Sequence, residues 1–182
     1  MKLGLVIYGS LATTSGGYLY DRMLVEHLRS CGDQVEVVSL ESAGYLRSLL
    51  SAPFLQIHTE SDVLLQDELC HPSLQCLNRR IHEQPIVSIV HNLRADLRAA
   101  GSGAYRLFEE RYLDSVDAFV FNSDATRASV TKLVGSDRPQ LVAAPGGDRL
   151  GEMTETAVRA RARQSGPLRL VFLANVVRGK GL

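Results

Sequence analysis

Gly16 and Gly17 close a Gly/Ser/Thr-rich stretch, residues 9–17, and stand just before a helical pattern that begins at Tyr18. Paired glycines let the backbone come close to a bound group, and the unpaired N–H groups of a helix start favour an anion such as a diphosphate. A plain tight turn would use the same residues. The dinucleotide fingerprint GxGxxG is absent, and so is the phosphate loop GxxxxGK followed by Ser or Thr. His91 opens the segment His91-Asn92-Leu93-Arg94 after an apolar run. At the tip of a parallel strand its near-neutral pKa and two ring nitrogens suit sugar hydroxyls or proton transfer, although a lone histidine is more often structural. Asp67 and Glu68 follow another apolar run. They could bind ligand hydroxyls, but capping the helix that starts near Pro72 is the better reading. Asn122 and Ser123 sit at a strand-to-helix turn, where both are cap residues by default and can also face a crevice. Pro145-Gly146-Gly147-Asp148 is a turn whose glycines permit positive φ. Cys70, His71, Cys76 and His82 have spacings that fit no usual zinc pairing, so no metal site is expected.

What must position these residues is an alternation of strand-length apolar runs with amphipathic stretches. Strands are predicted at residues 2–8, 34–40, 62–66, 86–90, 117–121 and 140–143, with a last one at 168–173. Helices are predicted at 18–30, 72–82, 104–113, from an N-cap at Ser123 to near Gly135, and at 152–163, with one or two short pieces within 41–60 interrupted by Pro53. In the first helix Leu19, Met23, Leu24, His27 and Leu28 are assigned to one face. The interior runs are nearly continuous in apolar residues, the pattern of parallel strands covered on both sides. The fold class expected is α/β, a Rossmann-like doubly wound, mainly parallel sheet. Its ligand site should lie outside the carboxyl ends of the strands, near the topological switch.

With 182 residues, 45% hydrophobic and 22% charged, the chain can bury a full core without a disulfide or metal staple and is neither disordered nor collagenous. Twenty Lys and Arg balance twenty Asp and Glu, which argues against a nucleic-acid binder working through a basic surface. That balance hides an asymmetry: residues 157–182 carry six basic residues and no acid, so the remainder is net −6. Arg159, Arg161 and Arg163 read as a solvated helix surface. Three cysteines without a CxxC pair read as reduced thiols, and no apolar run reaches the length of a membrane span, so the expected setting is the cytoplasm.

Along the chain, the loop with Gly16-Gly17 is followed by VSIVHNLR with His91, FVFNSDATR with Asn122 and Ser123, APGGDR, and LRLVFLANVVRGKGL. In that order these segments resemble the amino-terminal half of a family 4 glycosyltransferase with the GT-B architecture, in which two Rossmann-like domains face each other across a cleft. The resemblance covers the whole chain, with residues 1–165 as the acceptor-side domain and 166–182 as the first strand and loop of a donor-binding domain. It implies transfer of a sugar from a nucleotide-sugar to an acceptor hydroxyl with retention at the anomeric carbon, without a metal or other cofactor. It also implies that Gly16 and Gly17 approach the donor diphosphate, that Asn122 and Ser123 belong to the donor side, and that His91 lies near the transferred sugar. Lys180 matches the lysine of a basic pair that neutralises the departing diphosphate, and Arg178 substitutes for its arginine, whose usual place is held by Asn175. Asp67, Glu68 and Arg94 fall to the acceptor, a small molecule or a glycan, along with residues 41–60 and 94–103. Peripheral contact with a membrane stays open.

The sequence stops at Leu182, so the donor pocket is expected to be nearly absent and the isolated chain inactive or nearly so. The strand at 168–173 would join the first domain, pair with another chain or leave apolar residues exposed, which allows homo-oligomers through the tail. Two other readings use the same sheet. One is a non-catalytic binding or assembly module. The other is a nucleotide-dependent oxidoreductase, for which Glu41 near the end of the second strand would be the ribose-binding acid.

Overall fold

The computed structural model describes residues 1–96, 102–147 and 154–167. Two compact units divide the chain, Met1–Pro145 and Gly146–Leu182. The first holds β1 (Lys2–Tyr8), α1 (Gly16–Ser30), β2 (Gln34–Leu40), α2 (Tyr45–Ser51), β3 (Val63–Asp67), α3 (His71–Leu74), β4 (Ile86–Val90), α4 (Ser102–Leu113), β5 (Ala118–Phe121), α5 (Asp124–Val134) and β6 (Gln140–Val142). In the second, α6 (Glu155–Ala162) starts at Thr154, whose hydroxyl accepts the Ala157 N–H, and carries an Arg159–Glu155 ion pair at 2.6 Å. Arg159, Arg161 and Arg163 are exposed, as the charge run suggests. The strand expected at 168–173 lies outside the described residues.

All six strands pair in parallel, in the order β2-β1-β3-β4-β5-β6. From β1 the chain steps to β2 on one side, then crosses back over to β3 and continues outwards. Right-handed crossovers place connections of opposite travel on opposite faces of a sheet. Accordingly Val25 of α1 packs with Leu3, Leu5 and Ile7 on one face. Leu74 of α3, Tyr112 and Leu113 of α4 and Val130 of α5 pack with Val6, Tyr8 and Val90 on the other. Alternate residues of β1 serve the two faces, so every residue of the strand after Lys2 is buried. The fold is a Rossmann-like doubly wound α/β sheet, and its topological switch falls between β1 and β3 at their carboxyl ends. Among the described residues, no helix is long and apolar enough to cross a membrane.

Two expectations fail in ways that matter for the site. On α1, Met23 and His27 are exposed, while Asp21 and Val25 are the buried residues. With Tyr18 and Leu28 half-buried, the inward stripe is Tyr18, Asp21, Val25 and Leu28, so one slot of a helical apolar face is filled by an acid. The helix expected over 72–82 is also broken: α3 ends at Leu74 and a 3-10 turn, Asn78–Arg80, follows. Residues 70–78 are buried almost all round, so helical periodicity has no exposed face to register. Asn78 turns inwards to exchange two hydrogen bonds with Gln66, at 2.8 and 3.0 Å, and donates a third to Ser115 at 3.1 Å. Gln66 on β3 has no exposure at all, so without Asn78 its amide would be stranded. Replacing Asn78 by Ala should therefore destabilise the fold by about 1–3 kcal/mol. Urea unfolding should show this as a lower midpoint with an unchanged m-value.

Candidate functional site

The loop after β1 ends at Ser15, whose Oγ caps α1 by accepting the Tyr18 N–H at 3.3 Å. Gly17 lies in the first turn, and a Cβ there would stand 3.3 Å from Cδ2 of His91. Glycine lets the imidazole rest against the start of α1 without the tight contact that a Cβ would make. Gly16 faces open space, with nothing within 4 Å of where its Cβ would be. His91 directly follows β4, and its carbonyl accepts from Asn122 Nδ2 at 2.8 Å, so the loop after β5 fixes the loop after β4. Asn122 Oδ1 accepts from the Thr126 hydroxyl at 2.8 Å, and Ser123 caps α5 by accepting the Thr126 N–H at 3.2 Å. The cap reading of Ser123 holds, and Asn122 works as a tie between two strand ends.

Beneath the imidazole is a residue that no motif points to. Asp21, fully buried on α1, places Oδ1 3.0 Å from Nε2 of His91, while its Oδ2 has no hydrogen-bond partner. The Tyr20 ring meets the imidazole edge-on at 5.0 Å. Asp67, the last residue of β3, completes a trio in which one donor atom each of Asp21, Asp67 and His91 lie within 4.8 Å of one another. Burial pulls the His91 pKa down, but the Asp21 hydrogen bond and the charges of Asp21, Asp67 and Glu68 outweigh it, and the net shift is upwards. Burial, then the charge of Asp21, pushes Asp67 up to about 7. Asp67 also accepts the Leu69 N–H at 2.9 Å and so caps the 3-10 turn Glu68–Cys70.

Glu68 points elsewhere, into a second buried group with His71 and Glu109. His71 Nε2 bonds the Tyr45 hydroxyl at 3.1 Å, and Nδ1 bonds the Glu68 carbonyl at 3.1 Å. Glu109 of α4 accepts the backbone N–H groups of Arg94 and Ala95, the latter at 2.7 Å. Burial pushes Glu68 up to about 8, burial and the Glu68 charge push Glu109 up to about 7, and burial pulls His71 down to about 4. The Arg94 side chain lies over the rings of Tyr45 and Tyr105, 4.9 and 4.8 Å from their centroids. Two cation–π contacts thus hold the guanidinium while Arg94 stays exposed.

The switch point thus gathers Gly17, His91, Asn122 and Asp67 from the sequence-derived set and adds Asp21. Gly16 and Ser123 flank it at helix starts, Glu68 belongs to the second group, and Arg178 and Lys180 lie outside the described residues. Among the described residues neither titratable group contains a cysteine, so Cys70, His71, Cys76 and His82 form no cluster. A groove of about 270 Å³ that includes Ile57, Arg80, His82 and Gln84 lies at the amino end of the sheet, away from these groups. No family model matches the chain, and no curated protein does either.

His91 holds its proton at pH values where an ordinary histidine, with a pKa of 6.5, has released it. The pair therefore stabilises the fold below about pH 6.5, and that contribution is lost as pH rises through the folded pKa. Asp21→Asn should lower the His91 pKa in an NMR titration of the ring and flatten this part of the fall in Tm towards alkaline pH. Gly17→Ala should change stability by less than about 1 kcal/mol, because Ala is favoured over Gly in a helix by a similar amount. It should nonetheless shift the His91 ring resonances, since the added methyl stands 3.3 Å from Cδ2 and displaces the ring by a few tenths of an ångström.

Proposed function

We propose that this chain is the acceptor-side domain of a retaining glycosyltransferase that moves a sugar from a nucleotide-sugar to an acceptor hydroxyl. The observation that supports the reading best is the seat of His91, laid against Gly17 at the start of α1 and held by buried Asp21 at the switch point. In the reaction the bond from the anomeric carbon to the diphosphate oxygen breaks, the electron pair leaves with the diphosphate, the acceptor oxygen bonds the same face of that carbon, and the acceptor's hydroxyl proton passes to the departing diphosphate oxygen. Negative charge grows on the diphosphate while the sugar ring becomes positive, so donors fixed in advance lower the barrier most. The first N–H groups of α1, at Gly16 and Gly17, supply such donors to an anion. His91, bonded to Asp21 through Nε2, keeps Nδ1 for a sugar oxygen; that bond holds the ring, and the Asn122 bond to its carbonyl holds the backbone beneath it. Arg94, exposed and braced on two tyrosine rings, offers its guanidinium to the acceptor. The resemblance assigns the departing diphosphate to Arg178 and Lys180, which lie outside the described residues.

Titration with UDP-glucose, GDP-mannose and NADH, followed through the Gly17 amide and the His91 ring by NMR, tests the proposal. At least one nucleotide-sugar should move both resonances, and His91→Ala should weaken that binding roughly tenfold, the size of one charge-assisted contact. A response to NADH with none to either nucleotide-sugar would overturn the assignment.

A further inference from the structure

On α2 the small side chains go in and the large ones stay out. Ser48, and Ala52 directly after the helix, are buried with exposures of 4% and 0%, beside half-buried Tyr45 and Leu49. Leu46, Leu50 and Phe54 stand outside at 69%, 69% and 84%. Residues four apart on a helix lie one above the other, so Leu46 and Leu50 share a face, and Phe54 follows four residues later in the 3-10 turn that continues α2. Among the described residues these are the three most exposed large hydrophobic side chains. Single exposed apolar residues are ordinary on a protein surface, but three at this spacing make a ridge, and α2 carries more apolar side chain than its inward face takes.

Basic charge accompanies the ridge. Residues 1–145 carry 13 basic and 17 acidic residues, yet residues 42–59 hold no acid at all. Exposed Arg47 follows Leu46 on the helix. Arg80 donates from its two terminal nitrogens to the carbonyls of Pro53 and Leu55, at 3.2 and 2.7 Å, which seats its guanidinium against the backbone on either side of Phe54. Among the described residues neither arginine forms an ion pair. A guanidinium has more N–H donors than those two bonds use, so Arg80 keeps some for an anion from outside.

We propose that this ridge docks the protein on the surface of a bilayer that carries anionic lipid, with Leu46, Leu50 and Phe54 entering the boundary between headgroups and acyl chains and Arg47 and Arg80 pairing with lipid phosphates. A second copy of this chain is the poorer occupant. In a two-fold dimer the ridge would meet itself, and Arg47 and Arg80 would face their own copies with no acid from residues 42–59 to pair them. A bilayer supplies the anions, and it receives side chains that stand clear of the surface without needing a groove shaped to them. Docking involves neither donor nor acceptor, so the proposal stands or falls separately from the glycosyltransferase reading.

Flotation of the intact chain with phosphatidylcholine vesicles, with and without phosphatidylglycerol as about a third of the lipid, tests the proposal. The chain should float with the mixed vesicles, less so as salt rises, and roughly tenfold more weakly with phosphatidylcholine alone. Leu50→Gln combined with Phe54→Ser should weaken binding to the mixed vesicles by about tenfold or more, while Tm holds because both side chains are exposed. The sequence contains no Trp, so Phe54→Trp places a single fluorophore on the ridge, and its emission should shift to the blue when mixed vesicles are added. Absence of flotation with the mixed vesicles, equal flotation with phosphatidylcholine alone, unchanged flotation of the double variant or an unshifted Trp emission would each overturn the proposal. A dimer in sedimentation that the double variant dissolves would overturn it in favour of a second copy.

Discussion

Asp21 is a carboxylate cut off from water with a single hydrogen-bond partner, and the upper edge of the sheet is arranged around meeting that demand. An unpaired buried charge costs several kcal/mol, so α1 can dock only where His91 meets it. That requirement fixes the helix in rotation as well as in position, and it brings the first turn so close to the imidazole that a Cβ at residue 17 would press on the ring at 3.3 Å. His91 in turn is tied through its carbonyl to Asn122, which is tied to Thr126 on α5. One buried acid thereby links the loops that follow β1, β4 and β5.

The parallel sheet explains why charge collects at this end. Every strand delivers its last residue to the same edge, and at the switch point the helices diverge to opposite faces, leaving a crevice. Four acids, Asp21, Asp67, Glu68 and Glu109, are buried there, whereas the amino end is held by exposed pairs such as the Met1 amino group with Asp33. Concentrating carboxylates out of water raises the free energy of their charged forms. Asp67, Glu68 and Glu109 accordingly keep their protons to higher pH than free acids do.

The sheet was legible in the sequence because strand-length apolar runs separated by helical stretches leave few alternatives. Gly17 and His91 were legible for the same reason, since a strand end is a place that can be counted to. Asp21 was not, because an acid inside a helix reads as solvent-facing unless its neighbours are placed first. The clue was its position between Tyr18 and Val25 on the stripe that ends at Leu28, where an apolar residue was due. Met23 and His27 were assigned inwards because spacing alone gives the width of a face but not its rotation. The break after Leu74 followed from the pairing of Asn78 with Gln66, a contact between distant residues that periodicity cannot register. Glu109 was hidden in the same way, as an acid whose partners are two peptide N–H groups in a preceding loop.

Those two N–H groups give the loop after β4 an unusual kind of anchorage. Arg94 and Ala95 are held by a side chain that arrives 15 and 14 residues later, so the course of the chain as it leaves the strand is dictated by the helix that follows. A change at Glu109 would therefore be felt first at the strand exit beside His91, far upstream in the chain, rather than within its own helix.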